Sequence, residues 1–163
     1  MANFTFKLTS NIILGSYSIA KIGAEAVQFG KKFLFIVDPL LHETGIAKKI
    51  IDALEDRGIS VLVFDRVKRS ADSDIIENAL GLARGVFIDA VIASGGMGPV
   101  AVGRAVASLY NESGSIYDFI EGKPCTAEPL PFIEVPATCR EPFTFTPFSP
   151  IVDVRSRKIN LLK

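Results

Sequence analysis

The chain has 163 residues, of which 48% are hydrophobic and 22% charged, and its 18 acidic and 18 basic side chains give a formal net charge of zero. This length and composition predict one folded domain and exclude a disordered chain. The balanced charge gives no electrostatic reason to expect nucleic acid or an anionic membrane as a partner, and no apolar run approaches the roughly 20 residues of a membrane-spanning helix.

The N-terminal segment predicts two short strands and a helix. Residues 4–8 alternate apolar and polar side chains, as a half-buried strand does, and residues 12–14 follow as a second short strand that ends at Gly15. A helix is predicted over about residues 17–28, ending near Gly30. As an exposed edge, residues 4–8 could pair with a second copy of the chain to form a homodimer.

The middle of the chain alternates strands with amphipathic helices. Three continuous apolar runs, residues 33–37, 61–64 and 90–93, are typical of parallel strands buried on both faces, and residues 132–135 form a fourth, shorter strand. Helices are predicted over residues 41–57, from caps at Ser73 or Asp74, and after Pro99. This alternation predicts an α/β fold with a doubly wound, mainly parallel, Rossmann-like sheet.

The C-terminal part is less regular. Residues 113–131 are loop-rich but contain an apolar island at 116–120. Residues 151–154 and 159–162 are separated by a polar turn, Arg155-Ser156-Arg157-Lys158, and predict a short terminal β-hairpin.

A glycine-rich turn directly follows the third buried strand and opens a helix. Gly95, Gly96 and Gly98 would let the backbone approach a ligand closely, and the free N–H groups of a helix start attract phosphate. The alternative is a tight strand-to-helix turn that needs glycine only for its own geometry. The motif by itself leaves both interpretations open.

Asp38 stands at the end of the first long strand and also has two interpretations. Its carboxylate could accept hydrogen bonds from the ribose hydroxyls of an adenosine, which selects NAD over NADP. Asp followed by Pro39 is equally the pattern of a helix N-cap with proline in the first turn. The common dinucleotide fingerprint places its glycines before the acid, whereas here Asp38 precedes them, so that fingerprint does not match.

Few residues suit catalysis or metal binding. His42 is the sole histidine, so a structural zinc or a three-histidine site cannot be assembled from these residues. Cys125 and Cys139 are isolated thiols, which fits a reducing, cytoplasmic location, and neither has an evident histidine base. The basic run Arg66-Val67-Lys68-Arg69 is interpreted as a solvated turn. No catalytic or metal-binding residue is therefore predicted.

Several segments, in order and spacing, resemble those of the group III iron-dependent alcohol dehydrogenases. Besides Asp38-Pro39 and Gly95-Gly96-x-Gly98-Pro99, they are Ser115-Ile116-Tyr117-Asp118-Phe119-Ile120-Glu121-Gly122 and Pro129-Leu130-Pro131-Phe132-Ile133-Glu134-Val135-Pro136-Ala137-Thr138. The resemblance covers nearly the whole chain. It implies the fold of that family's N-terminal nucleotide-binding domain, a type shared with dehydroquinate synthase.

The resemblance implies that residues 1–163 are a single nucleotide-binding domain with NAD as its cofactor. By resemblance, Gly95, Gly96 and Gly98 would hold the cofactor diphosphate, Asp38 would disfavour the extra phosphate of NADP, and Thr138 would lie beside the adenine. The family's second, helical domain supplies an aspartate and three histidines that bind iron or zinc, and we expect none of it here. The chain by itself is expected to bind NAD without oxidising an alcohol.

The sequence departs from the family pattern where the cofactor is expected. Met97 replaces a glycine, Gly98 a serine, Ala101 an aspartate and Arg104 a lysine. After Thr138, the bulkier segment 139–143, from Cys139 to Phe143, replaces a flexible one and would obstruct a ligand unless the backbone follows another path. These changes weaken the expectation of NAD binding. They leave two alternatives: a degenerate, non-catalytic homologue that acts as a binding or assembly module, and a small enzyme for another phosphate ligand.

Overall fold

The computed structural model describes residues 11–67, 69–138 and 142–162. The strands are β1 (Lys32–Val37), β2 (Ser60–Phe64), β3 (Ala90–Gly95), β4 (Phe132–Pro136), β5 (Ser149–Asp153) and β6 (Lys158–Leu162). The α-helices are α1 (Ile22–Ala26), α2 (Pro39–Glu43), α3 (Ile46–Glu55), α4 (Ser73–Val86), α5 (Met97–Leu109) and α6 (Ile116–Ile120). Two 3₁₀ turns, Ser18–Lys21 and Val27–Phe29, flank α1.

Four strands form a parallel sheet in the order β2-β1-β3-β4. The chain runs from β1 outward to β2, then crosses back over β1 to β3 and continues to β4, so the strand order reverses between β1 and β3. In the centre, Leu34 pairs with Leu62 on one side and with Val91 on the other. The predicted doubly wound α/β fold is confirmed, and the predicted hairpin is the antiparallel pair β5–β6.

Two hydrophobic cores cover the two faces of the sheet. Successive side chains of a strand point to opposite faces. Leu34 and Ile36 of β1 accordingly pack in the core formed with α4, α5 and the hairpin, whereas Phe33, Phe35 and Val37 pack in the core formed with α1 and α3. All five side chains are fully buried, which explains why β1 is apolar throughout rather than alternating.

The hairpin lies over the start of α4 and the first half of α5. Ile151 is fully buried there, and the Ser149 hydroxyl donates to the Ala101 carbonyl over 2.8 Å. The Val152 N–H donates to the Ala71 carbonyl over 2.9 Å. The hairpin is thus part of the domain's core rather than an appended tail.

Three local predictions are wrong. Residues 12–14 form no strand, and Leu14 is 89% exposed, since no described strand lies beside them to supply a ladder. The helix expected over residues 41–57 is two helices, because Gly45 adopts a left-handed conformation with φ 75° between α2 and α3. The N-cap of α4 is Asp72, while Ser73 lies inside the helix and is buried.

The predicted strand at residues 4–8 lies outside the described residues, so the homodimer that depends on it stays a prediction. Within the described ranges, no helix is both long enough and apolar enough to cross a membrane.

Candidate functional site

The candidate site is a crevice at the carboxyl ends of β1 and β3. In a doubly wound sheet, ligands bind where the strand order reverses, because the segments that follow the two strands leave toward opposite faces and open a gap. Here α3 returns on one face and α5 on the other. We use "the crevice" for the region bounded by Asp38, Gly95, Gly96 and Thr138.

Main-chain hydrogen bonds hold these residues together. The Asp38 N–H donates to the Ser94 carbonyl over 2.9 Å, and the Ala137 N–H donates to the Gly95 carbonyl over 2.8 Å. A Cβ atom built on Gly96 would lie 3.9 Å from the Thr138 methyl carbon. Four of the five predicted site residues, from three adjacent strand ends, therefore meet at one place.

Two glycines of the turn are required by the fold itself. Gly95 has φ 147°, and a Cβ there would lie 2.9 Å from Pro99 Cγ and 3.0 Å from Asp38 Cβ. A Cβ on Gly98 would lie 2.8 Å from the main-chain oxygen of Arg69. For both positions, local geometry explains glycine without a ligand.

Gly96 is different. Its φ is −87°, which any residue adopts, and the atoms nearest to an added Cβ are those of the Thr138 side chain, at 3.9 and 4.0 Å. The described protein therefore has room for a side chain here. The absence of a side chain at Gly96 keeps the main chain open to the crevice.

Helix α5 begins at the crevice with uncapped main-chain N–H groups. Gly96 is its N-cap and offers no side-chain cap, and Pro99, in the first turn, has no N–H of its own. The N–H groups of Met97 and Gly98 have no acceptor within the helix. They lie at the positive end of the dipole of a 13-residue helix, where an anion is stabilised.

The Asp38 carboxylate caps α2. Its Oδ1 accepts a hydrogen bond from the Leu40 N–H over 2.9 Å, with Pro39 as the first helical residue. The capping interpretation is thereby confirmed. It does not exclude ribose binding, since a carboxylate has two acceptor oxygens and the cap occupies one of them.

His42 and Asp65 form an ion pair or hydrogen bond that sequence reasoning missed. His42 Nδ1 lies 2.7 Å from Asp65 Oδ2, and both side chains are nearly half exposed. Asp65 directly follows β2, as Asp38 directly follows the adjacent β1. Because adjacent parallel strands end at the same edge, the sequence could have indicated that Asp65 lies near Asp38 and near the helix that carries His42.

Arg104 and Glu134 form a largely buried ion pair, with hydrogen bonds to the segment that follows β4, which the sequence analysis did not predict. Arg104 Nη2 donates to Glu134 Oε2 over 2.8 Å, and Nη1 donates to the carbonyls of Phe143 and Phe148 over 2.6 and 2.8 Å. The side chains are only 13% and 11% exposed. Glu134 also accepts from the Thr144 hydroxyl over 2.7 Å. An acidic residue inside the apolar strand β4 was the sequence signal for this network.

The described residues offer neither an activated thiol nor a metal cluster. Burial is the main cause that raises the pKa of the Cys125 thiol, which disfavours the nucleophilic thiolate. In the described part of the chain, no three His, Cys, Asp or Glu side chains are grouped so that they could hold a metal ion. Cys139 lies outside that part.

Comparisons with known proteins agree with the fold. A family model described as iron-containing alcohol dehydrogenase matches residues 9–163. Choline dehydrogenase of Bacillus subtilis is 25% identical over 153 residues, covering 91% of this chain and 38% of that protein. NAD-dependent methanol dehydrogenase of Bacillus methanolicus is 22% identical over 163 residues, covering 99% and 42%. The chain thus spans about two fifths of the length of these relatives.

Solved structures show the same architecture. NADH-dependent butanol dehydrogenase A from Thermotoga maritima superposes with a TM-score of 0.90 at 25% identity, covering 100% of this chain and 42% of that one. Sulfoacetaldehyde reductase from Bifidobacterium kashiwanohense, solved in complex with NAD⁺, gives a TM-score of 0.87 at 23% identity, covering 99% and 43%.

Proposed function

The chain belongs to the iron-containing alcohol dehydrogenase family, and on that premise we propose that its crevice binds NAD. The observation that carries the proposal is the coincidence of three features at one place: the reversal of strand order, the uncapped start of α5 and the sterically open Gly96. The NAD dependence of the methanol dehydrogenase relative supports the choice of cofactor.

The diphosphate lies at the start of α5 in this proposal. The N–H groups of Met97 and Gly98 donate to its oxygens, and the bare main chain of Gly96 permits close approach. Bound NAD supplies the hydride acceptor for the family's oxidation of an alcohol. The residues of this chain bind and orient it.

The adenosine lies toward β1, with Asp38 and Thr138 on either side. The free oxygen of Asp38 accepts from the ribose hydroxyls and repels a 2′-phosphate, so NAD is preferred to NADP. Thr138 lies beside the adenine.

The residues described here do not fit the family's metal. Iron or zinc in that site needs several histidine and carboxylate ligands, whereas the chain has one histidine, and His42 is bonded to Asp65. We propose that these 163 residues by themselves bind the dinucleotide without oxidising an alcohol.

A second candidate, a non-catalytic binding or assembly module, is favoured by Met97. Met97 is the first residue of α5 and is 47% exposed, and it adds a side chain where the family pattern has glycine. Ala101, by contrast, is buried beside the hairpin, whose Ser149 hydroxyl donates to its carbonyl, so an aspartate here would place a carboxylate in the core.

Calorimetric titration with NAD and ADP-ribose tests the proposal on the 163-residue chain. We expect saturable binding and a rise in melting temperature that grows with cofactor concentration. The Gly96→Ala variant should bind at least about tenfold more weakly, because its Cβ occludes the diphosphate, while the melting temperature without cofactor changes by no more than about 4 °C.

The matched control is Gly81→Ala, in the middle of α4 with open space around an added Cβ. It should leave the Kd for NAD unchanged. Absence of heat and of a thermal shift with the wild-type chain at millimolar NAD and ADP-ribose would exclude the crevice as a dinucleotide site and leave the assembly module.

A further inference from the structure

Val67 and Arg69, which follow β2, pack against the first turn of α5, beside the crevice. A Cβ built on Gly98 would lie 2.8 Å from the Arg69 carbonyl oxygen and 3.4 Å from a methyl carbon of Val67, whose side chain is fully buried. The main chain around Arg69 therefore lies directly on the first turn of α5. Lys68, between these two residues, lies outside the described residues.

Arg69 is exposed, and its guanidinium makes no hydrogen bond or ion pair with any residue that the structure describes. Two other arginines, Arg84 and Arg104, are engaged internally. Arg84 donates to the main-chain carbonyls of Leu109, Tyr110 and Glu112, and Arg104 donates to the Glu134 carboxylate. Arg69 thus has its main chain beside the helix start and a guanidinium without a hydrogen-bond partner among the described residues.

We propose that Arg69 is a specificity-determining contact of the crevice and that its guanidinium pairs with the diphosphate of the bound dinucleotide. The inference rests on the proposed function. A diphosphate carries two negative charges, and Asp38 adds a third to the same crevice. The main-chain dipole of α5 amounts to only about half a positive charge, so a nearby cation stabilises the bound diphosphate further.

Arginine suits this role because its planar, permanently charged guanidinium donates two parallel hydrogen bonds to phosphate oxygens. The contact also explains why the turn tolerates Met97, whose side chain adds bulk but no donor. The hydrogen-bond donor lost with the expected serine hydroxyl is replaced by the Arg69 guanidinium from the neighbouring loop.

Arg66 provides a matched control within the same run. It is exposed like Arg69, but it lies with Glu77 and Asn78 along a groove between the end of β2 and α4. Its substitution changes the net charge of the chain by the same amount as substitution of Arg69. Unlike Arg69, Arg66 is not among the residues nearest to a Cβ built on Gly98.

The experiment compares the wild-type chain with Arg69→Gln, Arg69→Lys and Arg66→Gln in titrations with NAD, NADP, ADP-ribose and adenosine. Arg69→Gln should raise the Kd of the three diphosphate ligands by about tenfold or more and by the same factor, and leave millimolar adenosine binding unchanged. The Kd values of Arg69→Lys should lie between those of the wild-type chain and those of Arg69→Gln. Arg66→Gln should stay within about twofold of wild type, and all variants should keep the wild-type circular dichroism spectrum.

Each other outcome overturns the inference. Equal losses in Arg66→Gln and Arg69→Gln would show a general effect of net charge, and a loss confined to NADP would assign Arg69 to the 2′-phosphate. Weaker adenosine binding would show that the loop only shapes the crevice. Unchanged Kd values in Arg69→Gln, with a wild-type chain that binds NAD, would overturn the inference alone. A wild-type chain that binds none of the diphosphates would overturn the proposed function and the inference with it.

Discussion

Some polar groups around the start of α5 lack partners within the described residues, whereas those around Arg104, two turns later, are hydrogen-bonded to one another. At its start, in the crevice, Gly96 leaves the helix uncapped and Asp38 has one acceptor oxygen without a described donor. Two turns later, the hydrogen bonds that Arg104 donates end on the Glu134 carboxylate or on a carbonyl of segment 142–148. We call this second region, formed by Arg104, β4, segment 142–148 and the hairpin, the anchored edge.

The difference teaches that charge within a nucleotide-binding motif does not by itself indicate a ligand contact. Arg104 occupies the motif's basic position, yet its hydrogen bonds hold the chain segment that leads from β4 into the hairpin. Buried polar groups that are satisfied internally stabilise a fold, whereas polar groups left unsatisfied at an open edge are available to a ligand.

Arg104→Met is expected to have the largest effect on stability. The substitution leaves the Glu134 carboxylate, which is only 11% exposed, without its cation, and removes the Arg104 donor from the Phe143 and Phe148 carbonyls. Breaking a buried pair in this way costs about 3 kcal/mol or more. Denaturation with guanidinium chloride, followed by circular dichroism, measures the loss.

The double variant Arg104→Met, Glu134→Gln serves as the control, because it removes the unpaired charge as well. It should recover about 1 kcal/mol or more relative to Arg104→Met alone. If Arg104→Met and the double variant have equal free energies of unfolding, the ion pair between Arg104 and Glu134 does not stabilise the anchored edge.

Gly95→Ala should have the next largest effect, on the crevice side. The change forces a side chain into a φ of 147° and against Pro99 and Asp38, which costs about 1 to 3 kcal/mol and displaces the turn. Gly122→Ala is the matched control, since Gly122 has φ 107° but open space around an added Cβ. We expect NAD binding to be lost in Gly95→Ala and kept in Gly122→Ala, as measured by calorimetry. If both variants still bind NAD, the conformation of the turn at Gly95 is not required for NAD binding.

The sequence predicts most of the fold because its main signals are local. Continuous apolar runs identify β1, β2 and β3, which are buried on both faces, and the alternation with helices determines the doubly wound class. Residues 12–14 mislead for the same reason: an apolar triplet has strand propensity, but a strand also needs a neighbour, which local pattern does not reveal.

The site is predicted only in part, for a similar physical reason. Asp38 and Gly95 follow strands, so the shared edge of a parallel sheet brings them together. The Arg104–Glu134 pair and the packing of Arg69 on Gly98 depend on how loops return to the sheet, and sequence spacing does not encode that path. The role of Gly96 becomes visible only when the space around each glycine is compared.

Asp38→Asn should change cofactor preference more than stability. An asparagine oxygen still caps α2, so the free energy of unfolding should change by less than about 0.5 kcal/mol. Loss of the negative charge should improve NADP relative to NAD by about tenfold, or about 1.4 kcal/mol. Asp65→Asn, at the end of the adjacent strand, is the control for a general charge effect. The same shift in both variants, or none in Asp38→Asn, would limit Asp38 to its capping role.

The smallest expected effect concerns acid and the anchored edge. Donation from the Ser156 hydroxyl, over 2.8 Å, is the main cause that holds the pKa of Asp153 below its ordinary value of 3.8, and the Arg155 main chain and side chain add to it. A folded-state pKa below the unfolded one stabilises the fold above pH 3.8, and this contribution is lost as the pH falls through the lower, folded-state value.

Asp153→Asn should therefore flatten the acid dependence of hairpin stability below about pH 4, measured by amide hydrogen exchange of β5 and β6. Ser156→Ala, which removes only the hydroxyl donor, should do the same to a smaller extent. Because the polar groups of the anchored edge are satisfied by one another, protonation of Asp153 should loosen β5 and β6 before it affects the crevice. An acid dependence identical in wild type and Asp153→Asn would show that the turn at Asp153 contributes nothing to anchoring the hairpin.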